Sequence, residues 1–376
     1  MNNKKLAFVG NSAQTMINFR YGVMKSLAQS GYNVYVIAPK DCDVLIFRKA
    51  SINFIPIEID CKGVNPFRDL ALVRQLRNLY KKEKFDVVFH YTIKPVIYGG
   101  WASHLVGIKQ ISVITGLGYT FINKGWLNRL VKRLYRSSLS GANEVWFLNQ
   151  EDRTLFVEQE IVSKFKTRVI NGEGVNLDHY KPIPNSCHQK FSFLFIGRVL
   201  WDKGVGEFVE AAKVVKKQHP HIQFNILGPL GASNPASISQ EQMEQWEHLG
   251  VVRYLGETTD VVPYISSASC IVLPSYREGI SRVLLESAAM ERPIIASNVP
   301  GCREIVLNGE SGFLCEPQNV SSLIACMMHM LSLSADECMN FGKKGRLHVK
   351  ELYDEQLTIN IYKNRLNELL PEINHV

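Results

Sequence analysis

The chain has 376 residues, 46% hydrophobic and 21% charged, a globular composition with room for two or three domains. No apolar run approaches the roughly 20 residues of a membrane helix, and the opening "MNNKKLAFVGNSAQ" has too short an apolar core for a signal peptide, which points to a cytoplasmic chain. A net charge of +8 and a pI of about 9.0 favour an anionic partner, while cysteines that never fall in a C-x-x-C pair fit reduced thiols better than a disulfide framework or a zinc site.

In chain order, residues 5–11 read as a short strand ending at Gly10 and Asn11, and 17–31 as a helix stopped by Gly31. Strands at 32–39 and 52–59, a helix at 67–84, and strands at 85–92 and 107–118 follow. A strand at 144–149 then leads into a helix start at 150–156. The Pro-, Lys- and Asn-rich stretch 178–190 interrupts this alternation and is the expected domain boundary. The cycle restarts with strand 191–198, helix 204–218, strands 222–228 and 252–256, helix 261–269 and strand 270–275. Further segments at 292–298, 304–317 and 321–334 precede a helical tail at 353–370. Alternation of this kind implies parallel sheets covered on both faces, with ligands at the carboxyl ends of the strands. The expected organisation is an N-terminal domain over 1–182, a C-terminal domain over 188–350, and a closing helix over 351–376 that packs back on the first domain.

Two stretches carry chemistry. In "SYREGISRVLLESAAM" (275–290), Glu278 precedes Gly279 and Glu286 follows eight positions later. With a helix starting near Gly279, Glu286 lies about two turns inside, and the carboxylates stand up to ~12 Å apart along the axis and ~80° apart around it. That spacing is too wide for a glycosidase-type dyad and suits gripping two parts of one elongated ligand. Gly279 lets backbone N–H groups approach the ligand, and a helix N-terminus attracts a diphosphate. The plainer alternative is two surface residues, with Glu278 an ordinary N-terminal cap. In "GRVLWDKG" (197–204), Arg198 and Lys203 sit between Gly197 and Gly204 at a strand end, two cations suited to two phosphates. The alternative there is a solvated charged turn.

Three further features are ambiguous by themselves. Asp41 and Asp43 form a D-x-D that mimics a metal-binding motif but falls in a polar turn, so no metal is expected. Residues 126–139, "WLNRLVKRLYRSSL", set Leu127, Leu130, Val131 and Leu134 among Arg129, Lys132, Arg133 and Arg136. Such a helix can lie on an anionic bilayer or turn its apolar stripe to the core. The basic residues Arg74, Arg77, Lys81 and Lys82 could add to the same face or be a solvated surface.

Residues 191–350, with "GRVLWDKG", "YREGISRVLLE", "NVPGCREIV" and "NGESGFL" in order, resemble the C-terminal domain of the family 4 glycosyltransferases of the retaining GT-B class, whose E-x7-E signature is matched by "EGISRVLLE". The N-terminal pieces "GNSAQTMINFR", "FHYTIKPVIYGG" and "ITGLGYTFI" resemble the bacterial subgroup that builds O-antigens, capsules and N-linked oligosaccharides on lipid carriers. The resemblance implies an α/β, GT-B fold of two doubly wound Rossmann-like domains facing across a cleft. It implies a hexosyltransferase that takes a UDP-sugar, N-acetylhexosamine or hexose, to an undecaprenyl-diphosphate-linked glycan, without a metal or other cofactor. Arg198 and Lys203 would hold the diphosphate, Glu286 the ribose, and Glu278 the sugar, and the backbone of Gly197, Gly279, Ile280 and Ser281 would face the donor. Asn11, Ser12, Gly116 and Gly118 would lie on the acceptor side. The family histidine near Gly116 is absent, and His90 and Lys94 are the candidates to replace it, His90 being equally readable as a core residue. The expected setting is the inner face of the plasma membrane, with an anionic surface as partner and no nucleic acid. A GDP-sugar-dependent transferase and a non-catalytic glycosyltransferase-like subunit stand as alternatives.

Overall fold

The computed structural model describes residues 4–60, 65–117, 125–183, 190–231 and 236–371. The chain divides into two compact units, Met1–Gly174 with Glu355–Val376, and Val175–Asp354. It thus enters the second unit ahead of the Pro-rich 178–190 stretch, and its last helix belongs to the first unit.

In the first unit the elements are β1 (Lys5–Val9), α1 (Ala13–Gln29), β2 (Asn33–Ala38), α2 (Leu45–Lys49), β3 (Asn53–Pro56), α3 (Pro66–Glu83) and β4 (Val87–Tyr91). A one-turn π-helix (Pro95–Gly99) leads into α4 (Gly100–Val106), then β5 (Lys109–Ile114), α5 (Trp126–Ser140), β6 (Glu144–Phe147), α6 (Gln150–Glu158) and β7 (Thr167–Val169). The strands form one sheet in the order β3-β2-β1-β4-β5-β6-β7. Every pair is parallel. The apolar runs "LAFV" and "VVFHY" are buried because β1 and β4 are central and covered on both faces. The three-residue edge strand β7 was not legible in the sequence: it has no room for a period.

Polar residues define the helix starts. Ser12 accepts the Thr15 N–H at 3.1 Å, and Asn65 accepts those of Phe67 and Arg68, with Pro66 at the first helical position. The two aspartates of the D-x-D serve the same purpose: Asp41 accepts the Gln14 N–H at 3.0 Å and Asp43 that of Leu45 at 2.9 Å.

The second unit runs β8 (Ser192–Ile196), a 3₁₀ turn (Trp201–Lys203), α7 (Val205–Gln218), β9 (Gln223–Leu227), α8 (Gln240–His248), β10 (Arg253–Tyr254), α9 (Val262–Ser267) and β11 (Cys270–Leu273). It closes with α10 (Arg282–Ala289), β12 (Ile294–Ser297), β13 (Gly312–Cys315), α11 (Val320–Ser332) and α12 (Ala335–Leu352). Its six parallel strands are ordered β10-β9-β8-β11-β12-β13. The last helix, α13 (Glu355–Leu369), seats Tyr362 in the first unit, where its hydroxyl lies 2.8 Å from that of Tyr91 and its ring packs on Phe89 and Trp146.

Both sheets reverse their strand order once, between β1 and β4 in the first unit and between β8 and β11 in the second. A reversal splays the two neighbouring connections to opposite faces and leaves a crevice at the carboxyl ends of those strands. These are the two places where the fold itself offers a ligand site.

Candidate active site

At the reversal in the second unit, β8 delivers Gly197 and Arg198, and the 3₁₀ turn then presents Lys203. Gly204 ends that turn with φ +77°, and a Cβ there would stand 2.0 Å from the Pro274 carbonyl oxygen. Only glycine allows the turn to lie this close to the end of β11. Hydrogen bonds join the two segments: the Tyr276 N–H donates to the Asp202 carbonyl at 3.0 Å, and the Tyr276 hydroxyl to Glu207 Oε1 at 2.6 Å.

This joining brings Lys203 Nζ to 2.5 Å from Glu278 Oε1, with both side chains only about one-seventh exposed (16% and 14%). Removing one partner from a pair this sheltered leaves an uncompensated charge, at a cost of about 3–5 kcal/mol. Arg198 lies exposed at the same strand end, and among the described residues no ion partner faces it.

A third segment braces Glu278. Gly301 has φ +79° and packs against Glu278 and Gly279. The Pro300 carbonyl accepts the Glu278 N–H at 3.3 Å, and the Gly301 carbonyl accepts the Ser281 N–H at 2.9 Å. Glu304 Oε2 accepts the Gly301 N–H at 2.7 Å, and the Glu304 carbonyl is held by His348 Nε2 at 2.8 Å and the Tyr353 hydroxyl at 3.1 Å.

Two expectations change here. The helix begins at Arg282, not near Gly279, so Glu286 sits about one turn inside it rather than two. Ser281, the residue ahead of the helix, is extended (φ −79°, ψ 107°), and its N–H is bonded to the Gly301 carbonyl. The same bond occupies the Ser281 N–H, so this group does not face a ligand, whereas the Ile280 N–H has no partner among the described residues.

Glu286 is buried, and its Oε1 accepts from Arg282 Nε at 2.6 Å and from the Tyr180 hydroxyl at 2.7 Å. Burial, and then the Glu286 charge, push the Tyr180 phenol well above its usual range, so it stays a donor. Burial works against the Arg282 charge, but the adjoining carboxylate more than offsets this and the guanidinium holds its proton more firmly than usual. Burial and then Glu278 push the Cys302 thiol well up, which leaves it protonated and no nucleophile. Tyr180, Gly301 and Glu304 were not singled out from the sequence. Only the Arg282–Glu286 spacing of i, i+4 carried a local signal.

In the first unit, Asn11 and Ser12 follow β1, Lys94 lies just past β4, and Gly116 follows β5, so all stand at the carboxyl edge of neighbouring strands. Gly118 lies outside the described residues. Lys94 Nζ is 2.7 Å from Asp69 Oδ1, whose Oδ2 accepts the Tyr98 hydroxyl at 2.7 Å. His90 is a core residue and not an acceptor-side one. It is fully buried in central β4, its Nε2 is 3.1 Å from the Tyr80 hydroxyl, and burial depresses its pKa to about 3. Among the described residues no group of three His, Cys, Asp or Glu side chains is placed to hold a metal ion.

On α5 the split of faces also differs from expectation. Val131 is buried and Leu127 and Leu134 pack against the core, whereas Trp126 and Leu130 are 72% and 42% exposed. Among the described residues no helix is long and apolar enough to cross a membrane.

Two doubly wound parallel sheets, the second with Lys203 and Glu278 paired at its reversal point, are the architecture of the GT-B fold. The family description "Glycosyl transferase 4-like" matches residues 5–149 and "Glycosyl transferases group 1" matches 190–332, and the chain belongs to this glycosyltransferase family. Among curated relatives, it is 27% identical, over 97% of this chain and 94% of the other, to the N,N'-diacetylbacillosaminyl-diphospho-undecaprenol alpha-1,3-N-acetylgalactosaminyltransferase of Campylobacter jejuni. It is 26% identical, over 74% and 76%, to the UDP-Gal:alpha-D-GlcNAc-diphosphoundecaprenol alpha-1,3-galactosyltransferase of Escherichia coli. Among solved structures, a glycosyltransferase from Rickettsia africae superposes with a TM-score of 0.78 at 20% identity, covering 99% of this chain and 100% of the other, a likeness of fold.

Proposed function

We propose that this chain transfers a hexosyl or N-acetylhexosaminyl residue from a UDP-sugar to a hydroxyl of an undecaprenyl-diphosphate-linked glycan, with retention of anomeric configuration. The observation that carries this reading is the 2.5 Å pairing of Lys203 with Glu278 at the reversal point, just ahead of the helix that holds Glu286 one turn inside its start. The named activities of the two bacterial relatives support this reading: both act on diphosphoundecaprenol-linked sugars, and that of Escherichia coli uses UDP-galactose.

In this reading Arg198, Lys203 and the start of α10 meet the charge that grows on the departing diphosphate. They supply what a metal ion supplies in other transferases, so no metal is needed. Glu278 orients the sugar and Glu286 accepts from the ribose. The bond from the anomeric carbon to the diphosphate oxygen breaks, and the acceptor oxygen attacks the same face. Its proton passes to the leaving diphosphate, so UDP departs and the configuration is kept. Asn11, Ser12, Lys94 and Gly116 form the acceptor side of the first unit. Surface polysaccharide synthesis at the inner face of the plasma membrane is the matching setting.

The test is turnover of labelled UDP- and GDP-hexoses and N-acetylhexosamines with a synthetic undecaprenyl-diphosphate-linked sugar, in the presence of chelator. An α-linked product from a UDP-sugar is expected. Turnover of GDP-sugars alone, a β-linked product, a requirement for a divalent ion, or no turnover with any donor overturns the reading in that respect.

Membrane contact is part of the same proposal and rests on the exposed Trp126, Leu130, Arg129 and Arg133 of α5. Vesicles containing phosphatidylglycerol should co-sediment the protein and neutral ones should not. Trp126→Ser with Arg133→Glu should abolish the effect. Equal recovery from both vesicle types refutes it.

A further inference from the structure

We infer that Tyr180 is a positioning residue for Glu286: with Arg282 it fixes one carboxylate oxygen and leaves the other as the acceptor for the ligand. The inference rests on the ribose role proposed for Glu286.

Both donors reach the same atom. Tyr180 donates to Oε1 at 2.7 Å and Arg282 to Oε1 at 2.6 Å, whereas Oε2 accepts no hydrogen bond from a described residue. The two come from different directions. Arg282 lies on the same helix at i, i+4. Tyr180 lies in a separate turn, 106 residues away in sequence.

That turn is itself held firmly. The Asn176 side chain accepts the N–H groups of Asp178 and His179, and the Asn176 carbonyl accepts that of Tyr180 at 2.9 Å. Arg346 of α12 donates to the carbonyls of Tyr180, at 3.0 Å, and Leu177, at 3.4 Å. The same guanidinium binds the Ala289 carbonyl at the end of α10. One arginine therefore ties the turn that carries Tyr180 to the helix that carries Glu286.

A free carboxylate on a helix samples several rotamers and must lose that freedom when a ligand arrives. A carboxylate pinned at one oxygen has lost it already, so the cost does not fall on binding. The hydroxyl, not the ring, does the pinning, so a phenylalanine here preserves the packing and loses the effect.

The experiment is a double-mutant cycle on the full-length protein with Tyr180→Phe and Glu286→Ala. It reads the UDP dissociation constant by calorimetry, kcat and donor KM, and melting temperature. Tyr180→Phe should weaken UDP binding by about tenfold, as loss of one hydrogen bond to a charged group does. It should raise donor KM, leave kcat within about threefold, and have no further effect once Glu286 is alanine. An equal loss in both backgrounds, or no loss, overturns the inference while the ribose reading stands. Unchanged UDP binding in Glu286→Ala overturns the ribose reading itself, and the inference with it. If Tyr180→Phe fails to fold, Arg282→Gln runs the same cycle from the other donor with the same two outcomes.

Discussion

Gly301→Ala is the sharpest probe of how Glu278 is held. The residue has φ +79°, and a Cβ would stand 2.7 Å from the Gly279 carbonyl oxygen and 2.8 Å from both the carbonyl carbon and Cβ of Glu278. A left-handed conformation costs a non-glycine residue about 1–2 kcal/mol, and the added methyl brings an overpacking cost of roughly 1–3 kcal/mol. A loss of about 2–5 kcal/mol in a unit of this size lowers its melting temperature by roughly 4–20 °C.

The control is Gly309→Ala. Gly309 has φ +78° but nothing within 4 Å of its Cβ position, so it incurs the conformational cost alone. The difference between the two variants isolates the contact with the Glu278 loop. To reach ordinary contact that loop must retreat by more than half an ångström, and misplacement on the order of 1 Å costs about 10²-fold in rate. Calorimetric melting with kcat/KM for the donor measures both effects. Gly301→Ala at the Gly309→Ala level of stability, with wild-type turnover, refutes the reasoning: the loop would then be free to move without consequence.

Lys203→Met removes the ammonium and keeps much of the stem. It should lower kcat by at least about 10²-fold, as loss of a preorganised charge donor does, with Glu278 left uncompensated, and single-turnover kinetics would expose a smaller effect. His90→Gln tests burial of the histidine. The pKa of about 3 in the folded chain lies below the ordinary value, so between about pH 6.5 and 3 only the unfolded state takes up the proton. The wild type should therefore lose about 2 kcal/mol more than the variant between pH 7 and pH 5 in denaturant titrations, and parallel curves would place His90 in contact with solvent.

Strand and helix order was legible because parallel strands buried on both faces write themselves as continuous apolar runs, as 87–91 does, and because glycines mark the turns that follow. That Lys203, Glu278 and Glu286 serve one site was legible only through the resemblance of their two motifs to a family. What holds that group was not. Tyr180 reaches Glu286, and Gly301 reaches Glu278, through tertiary contacts with no local period. The helix start at Arg282 lies a few residues later than the motif suggests, after an extended Ser281 whose N–H meets Gly301, a contact with no local signal either. His90 was readable two ways for a related reason. A polar residue in a strand suggests a surface, but in a central parallel strand either face is interior, and Tyr80 is there to receive it.

The first unit carries a strained residue at its own reversal point. Thr92, directly after β4, has φ +68°, and its hydroxyl donates to the Tyr91 carbonyl at 2.5 Å. A β-branched residue in the left-handed region is a true outlier, and such strain costs on the order of 1–3 kcal/mol where the surroundings enforce it. Here the turn directs the chain into the π-helix and sets Lys94 on Asp69. At ordinary positions glycine is less stable than alanine by roughly 0.5–1 kcal/mol. At Thr92 the order should invert, with Thr92→Gly more stable than Thr92→Ala by about 1 kcal/mol, because only alanine retains the left-handed penalty. Denaturant midpoints at equal m-values measure the sign directly. If alanine proves the more stable substitution, the backbone of the acceptor-side turn is relaxed, and the position of Lys94 depends on its ion pair alone.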